Sequence, residues 1–142
     1  MSDWIGHECG IAAIRLLKPL DYYIEKYGTP MYAVNKLTLL MEKQHNRGQD
    51  GAGVASIKLD MPPGEPYIFR ARSADKNPIM NVRNRMVQAF TEARENHPAE
   101  YQDGKWVKQN VLFAGELLLG HLRYGTHGAS GESFCHPFLR QN

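Results

Sequence analysis

Cysteine is nearly absent from this chain of 142 residues, which holds only Cys9 and Cys135. The two form neither a CxxC pair nor the framework of a disulfide-stapled module, so a reducing, cytoplasmic setting is expected. Excess charge is lacking as well. The formal net charge of +2 is too small to argue for nucleic acid or an anionic membrane as partner. No stretch approaches the ~18 consecutive apolar residues of a membrane helix. The opening Met1-Ser2-Asp3-Trp4-Ile5-Gly6-His7-Glu8 has neither the basic nor the apolar region of a signal peptide. Repeats and low-complexity tracts are missing too. What is present is an ordinary globular composition, 42% hydrophobic and 23% charged, in a chain long enough to bury one core without staples.

Cys9 stands at the mouth of Gly10-Ile11-Ala12-Ala13-Ile14, a short run so apolar that it reads as a strand buried on both faces. Asp21 is placed to cap a short helix through Lys26, which Gly28-Thr29-Pro30 ends. From Thr29 or Pro30 a second helix follows, with Ala33, Leu37, Leu40, Met41 and Gln44 on one stripe. Arg47-Gly48-Gln49-Asp50-Gly51-Ala52-Gly53 reads as a loop and Val54–Leu59 as a strand. A turn over Asp60–Pro66 returns the chain along Tyr67–Arg72 as a hairpin. Asn77-Pro78 opens a third helix whose inward stripe is Ile79, Val82, Met86, Phe90 and Ala93, stopping by His97-Pro98. Glu100–Asn110 is polar and reads as a surface excursion. Leu117–Tyr124 is a buried strand that turns polar and runs into Gly125-Thr126-His127-Gly128-Ala129-Ser130-Gly131. Hairpin strands flanked by helices predict an α+β fold with antiparallel sheets rather than a doubly wound parallel one.

Three stretches carry residues suited to chemistry. The glycines between Arg47 and Gly53 permit close backbone approach, and the plainest reading of them is a helix end followed by a loop. A phosphate cradle needs the opposite order, strand before loop and helix after, so that helix amides face the anion. Next, Gly120-His121-Leu122-Arg123-Tyr124-Gly125-Thr126-His127-Gly128 puts an arginine at a strand end, where a guanidinium grips a carboxylate with two parallel bonds. The Thr126 hydroxyl and the amides of the turn would complete such a pocket, although a merely polar strand end with a loop fits as well. Zinc on His121, His127, Cys135 and His136 is possible by composition, but the spacing matches no metal motif, and no metal is assigned. Last is Cys9. A solitary cysteine is most often a small buried hydrophobe, and a free thiol with pKa ~8.5 is mostly protonated at neutral pH. As a nucleophile it needs a base, and an α-amine would serve if Cys9 were the first residue.

Taken in order, Cys9-Gly10-Ile11, Arg47–Gly53 and Gly120–Gly128 resemble the class II glutamine amidotransferase domain, an N-terminal-nucleophile (Ntn) hydrolase. The run His45-Asn46-Arg47-Gly48-Gln49-Asp50 is most similar to the amidophosphoribosyltransferase branch, which serves purine synthesis. The resemblance spans roughly residues 9–138. It implies a four-layer αββα sandwich of antiparallel sheets, with residues 1–8 as a propeptide-like extension and 9–142 as the front, C-terminally incomplete part of the domain. It further implies that Cys9 attacks glutamine, that Arg47 and Gly48 orient the α-amine of Cys9, and that Arg123, Tyr124, Thr126 and His127 bind or shield the substrate. The implied partners are glutamine and an ammonia-accepting synthase or phosphoribosyltransferase domain, within a homo-oligomeric, cytoplasmic full-length enzyme. No cofactor is implied for this segment. The oxyanion donor and the residue binding the substrate amine would lie beyond Asn142, so this segment alone is expected to be weakly active or inactive. The alternative is a non-catalytic regulatory or ligand-binding relative with an unprocessed N-terminus.

Overall fold

The computed structural model describes residues 9–45, 50–125 and 131–140. Its strands are β1 (Gly10–Arg15), β2 (Gly51–Ile57), β3 (Ile68–Ser73) and β4 (Leu117–Arg123), and its helices are α1 (Leu20–Tyr27), α2 (Tyr32–Lys43), α3 (Pro78–Asn96) and α4 (Gly104–Asn110). The strands form one antiparallel sheet in the order β1-β4-β2-β3. The architecture is therefore α+β, with β2 and β3 forming the expected hairpin.

One face of the sheet is covered by α2, lying over β1 and β4, and by α3, lying over β2 and β3. Their stripes explain why. Ala33, Val34, Leu37, Thr38 and Met41 of α2, and Val82, Met86 and Phe90 of α3, are all buried. They meet Ala12, Ala52, Val54, Ala71, Leu118 and Leu122 from alternate positions of the strands in a single core. Pro78 opens α3 at its first turn, where its missing N–H costs nothing. Gly28 ends α1 with φ 74°, a left-handed cap that glycine adopts without strain.

The structure differs from the sequence reading at several places. β1 is not buried on both faces: Ala12 faces α2 while Ile11 is 74% exposed. Among the described residues β1 is an edge strand, so one row of its side chains packs and the other does not. Leu40 is exposed and Val34 takes its place on the α2 stripe, while Gln44 leaves the core to donate from Nε2 to the Ile11 carbonyl at 3.2 Å. Asp21 does not cap α1. Its carboxylate accepts from the Gly104 amide at 2.7 Å and ties α1 to α4 instead. Finally, Glu100–Asn110 is ordered structure: a 3-10 turn over Glu100–Gln102 and then α4, capped by Asp103, with Tyr101 and Val107 buried.

The opposite face of the sheet meets the segment 131–140. Gly51 and Gly53 belong to β2 and not to a loop, and neither has positive φ. Their use is close approach. A Cβ on Gly51 would overlap the Cys135 sulfur, and one on Gly53 would overlap the His136 carbonyl. Arg70 donates to the Pro137 carbonyl at 3.3 Å and Arg72 to the Cys135 carbonyl at 3.2 Å, holding the segment down.

Candidate functional site

The β1 and β4 ladders run Gly10 opposite Leu122. Cys9 therefore emerges beside the end of β4, and its exposed Sγ lies 3.5 Å from the amide nitrogen of Tyr124, which donates to it. The thiol is also 4.0 Å from the Tyr124 carbonyl oxygen. The structure thus brings Cys9 together with Arg123-Tyr124, residues far apart in the chain.

Arg123 ends β4, opposite Gly51 of β2. Its guanidinium lies 5.5 Å from the centre of the Phe134 ring. From the β2 side, the Asp50 amide donates to the Arg123 carbonyl at 3.1 Å. The Asp50 carboxylate accepts from the Gly125 amide at 2.7 Å. Two successive amides at the end of β4, those of Tyr124 and Gly125, are therefore held from opposite sides by Cys9 and Asp50.

Arg47, Gly48, Thr126 and His127, also expected at the site, lie outside the described residues. Of the composition that would suit zinc, His121 and His136 do meet, with ring centres 4.7 Å apart. Cys135 turns away, its buried thiol directed at the Ser73 carbonyl at 3.6 Å. Burial pushes that thiol's pKa up, against the opposing pull of Arg123 and Arg72. Burial, then the neighbouring His136 and Arg123, hold His121 below the usual histidine range, and its Nδ1 is buried without a partner. Among the described residues no three His, Cys, Asp or Glu side chains gather as a metal site, and no helix is long and apolar enough to cross a membrane.

Sequence reasoning missed two participants. The Tyr124 amide was invisible because a backbone donor has no residue signature. Asp50 was part of a quoted motif, but nothing local says that its carboxylate reaches Gly125. An open cleft of about 1020 Å³ lined by Lys58, Tyr67 and Arg140, among others, lies at the far end of β2 from Cys9. No protein-family model matches the chain, and no curated protein sequence matches it.

Proposed function

We propose that this chain is the glutaminase portion of a glutamine-dependent amidotransferase of the class II, Ntn-hydrolase kind, working with a phosphoribosyl-transferring partner domain in purine synthesis. The observation that carries the reading is the Cys9 sulfur lying 3.5 Å from the Tyr124 amide, one residue from Arg123. In this reading the α-carboxylate of glutamine pairs with Arg123, helped by Thr126 and His127. The Cys9 sulfur attacks the side-chain amide carbon, so a C–S bond forms, the C–N bond breaks and ammonia leaves. Water then cleaves the γ-glutamyl thioester to glutamate. The base is the Cys9 α-amine, oriented by the Arg47-Gly48 backbone and freed by cleavage of the Glu8–Cys9 bond.

The same reading makes the observed sheet one half of an αββα sandwich. A second sheet would pack on the face that carries exposed Ile11, beside the segment 131–140. Treatment of the full-length protein with the glutamine-like electrophile 6-diazo-5-oxo-norleucine, followed by peptide mass mapping, tests the assignment. The expected adduct is on Cys9, which also reports whether Cys9 is N-terminal. Adduct elsewhere, or glutaminase activity with Cys9 unmodified, would sink it.

A further inference from the structure

Asp50 contributes no atom to the reaction just described, yet it is the described residue that joins the start of β2 to the end of β4 through both its amide and its side chain. Its backbone N–H fixes the Arg123 carbonyl at 3.1 Å, and its Oδ2 accepts from Gly125 N–H at 2.7 Å. A carboxylate accepting from a main-chain amide is a charge-assisted contact, stronger than a neutral one. Gly125 is the residue after Tyr124, so this contact restricts rotation of the peptide unit that follows Tyr124. The Tyr124 N–H, in turn, points at the Cys9 sulfur. Both partners are near at hand: a Cβ built on Gly125 would stand at ordinary contact distance, 3.5 Å from Asp50 Oδ2 and 3.7 Å from an Arg123 guanidinium nitrogen. The carboxylate and the guanidinium therefore flank the same glycine.

We infer that Asp50 is a positioning residue for the Cys9 site, its carboxylate clamping Gly125 so that the Tyr124 amide and the Arg123 side chain keep their register with the thiol. The inference rests on the glutaminase reading for its consequence in activity, but the clamp itself is independent of it. Charge strengthens the clamp, but its essential requirement at residue 50 is an acceptor oxygen at the right reach. Asn supplies one; Ala and Ser, whose side chains are too short, do not.

The test compares wild type, Asp50→Asn, Asp50→Ala and Asp50→Ser in the full-length protein by two readouts. Hydrogen exchange at the Gly125 amide reports the clamp. The rate of Cys9 labelling by 6-diazo-5-oxo-norleucine, set against labelling by iodoacetamide, reports the site. Exchange at Gly125 is expected to accelerate in Asp50→Ala and Asp50→Ser and to stay near wild type in Asp50→Asn. Labelling by the glutamine analogue should fall ~10-fold or more in the two short variants and be rescued in Asp50→Asn, while iodoacetamide still reaches the exposed thiol in all four. Unchanged analogue labelling in a folded Asp50→Ala or Asp50→Ser overturns the positioning role. So does an equal loss in Asp50→Asn, which would assign the effect to charge. If wild type itself takes no analogue on Cys9 while Gly125 protection follows the expected series, the glutaminase reading fails and the clamp stands. Should Asp50→Ala not fold, Asp50→Ser and Asp50→Asn carry the comparison.

Discussion

Gly53 lies directly under the main-chain carbonyl of His136, so close that a Cβ at position 53 would occupy the same space. The bare Cα is what lets the segment 131–140 lie on the sheet, with Pro137 also against it at 3.0 Å from that would-be Cβ. Backbone cannot move aside as a flexible side chain can. Gly53→Ala is therefore expected to displace the segment and cost about 1–3 kcal/mol, read as a lower melting temperature and faster proteolysis within residues 131–140. Unchanged proteolysis there would show that the segment does not depend on this contact.

Lys58 is 3% exposed, its ammonium 4.7 Å above the Phe69 ring and beside the Lys108–Glu116 ion pair. Burial lowers its pKa from 10.5 to about 8, with Glu116 pulling it back up and Lys108 pushing it down. The folded pKa is thus below the unfolded one. Between the two, the unfolded chain holds a proton that the folded chain has released, so stability rises with pH from about 8 towards 10.5. At neutral pH the fold carries the cost of a buried ammonium. Lys58→Met should raise stability at pH 7 by on the order of 1–2 kcal/mol and flatten the alkaline slope, as measured by urea unfolding across that range. An alkaline slope unaltered by the substitution would remove Lys58 as its source.

The elements most legible from sequence were those whose signal is local. Pro78 followed by Val82, Met86 and Phe90 is a helix start and one buried stripe, and α3 follows it closely. The β2–β3 hairpin was marked by the Pro- and Gly-rich turn between two β-rich runs. α4 was missed because Lys105, Lys108 and Asn110 mask a helix that buries Val107 and little else along its length; the usable sign was Asp103 at its N-cap. Gly51 and Gly53 carry the composition of a loop, and composition cannot reveal why they belong to a strand. That reason is Cys135–Pro137, a non-local partner on the other face. At the site, Cys9 and Arg123 were legible by residue type, whereas Asp50 and the Tyr124 amide act through register and became visible only with the β1-β4-β2 order.

Asp103 accepts from the amides of Lys105 at 2.9 Å and Trp106 at 3.3 Å, satisfying two donors that open α4. Asp103→Ala leaves both without that acceptor and is expected to cost about 1 kcal/mol. Asp103→Asn should recover most of it. Equal loss in both variants, by denaturant midpoint, would point to charge rather than capping.

His121 packs its ring on His136 under the same segment that Gly53 admits. Its pKa is held below 6.5 first by burial, then by His136 and Arg123. A histidine kept neutral by the fold stabilises fully above the unfolded value near 6.5 and loses that contribution as pH falls through the lower folded value. Melting temperature is therefore expected to drop on acidification below about 6.5, and His121→Gln should blunt the drop. An identical acid profile in that variant would assign the acid sensitivity elsewhere.

Cys9 tests the division between fold and function. Its side chain is exposed and lies outside the buried core of the described residues, so removing the thiol takes away little packing. Cys9→Ala is expected to change stability by less than about 0.5 kcal/mol. If Cys9 is the nucleophile, the same variant abolishes both glutaminase activity and labelling by the glutamine analogue in the full-length protein. Cys9→Ser separates the roles further. A hydroxyl preserves the size and the contact with the Tyr124 amide but is a far weaker nucleophile than a thiolate, so glutamine binding should persist while turnover is lost. Retained turnover in Cys9→Ala, alongside unchanged stability, would leave Cys9 as a surface thiol.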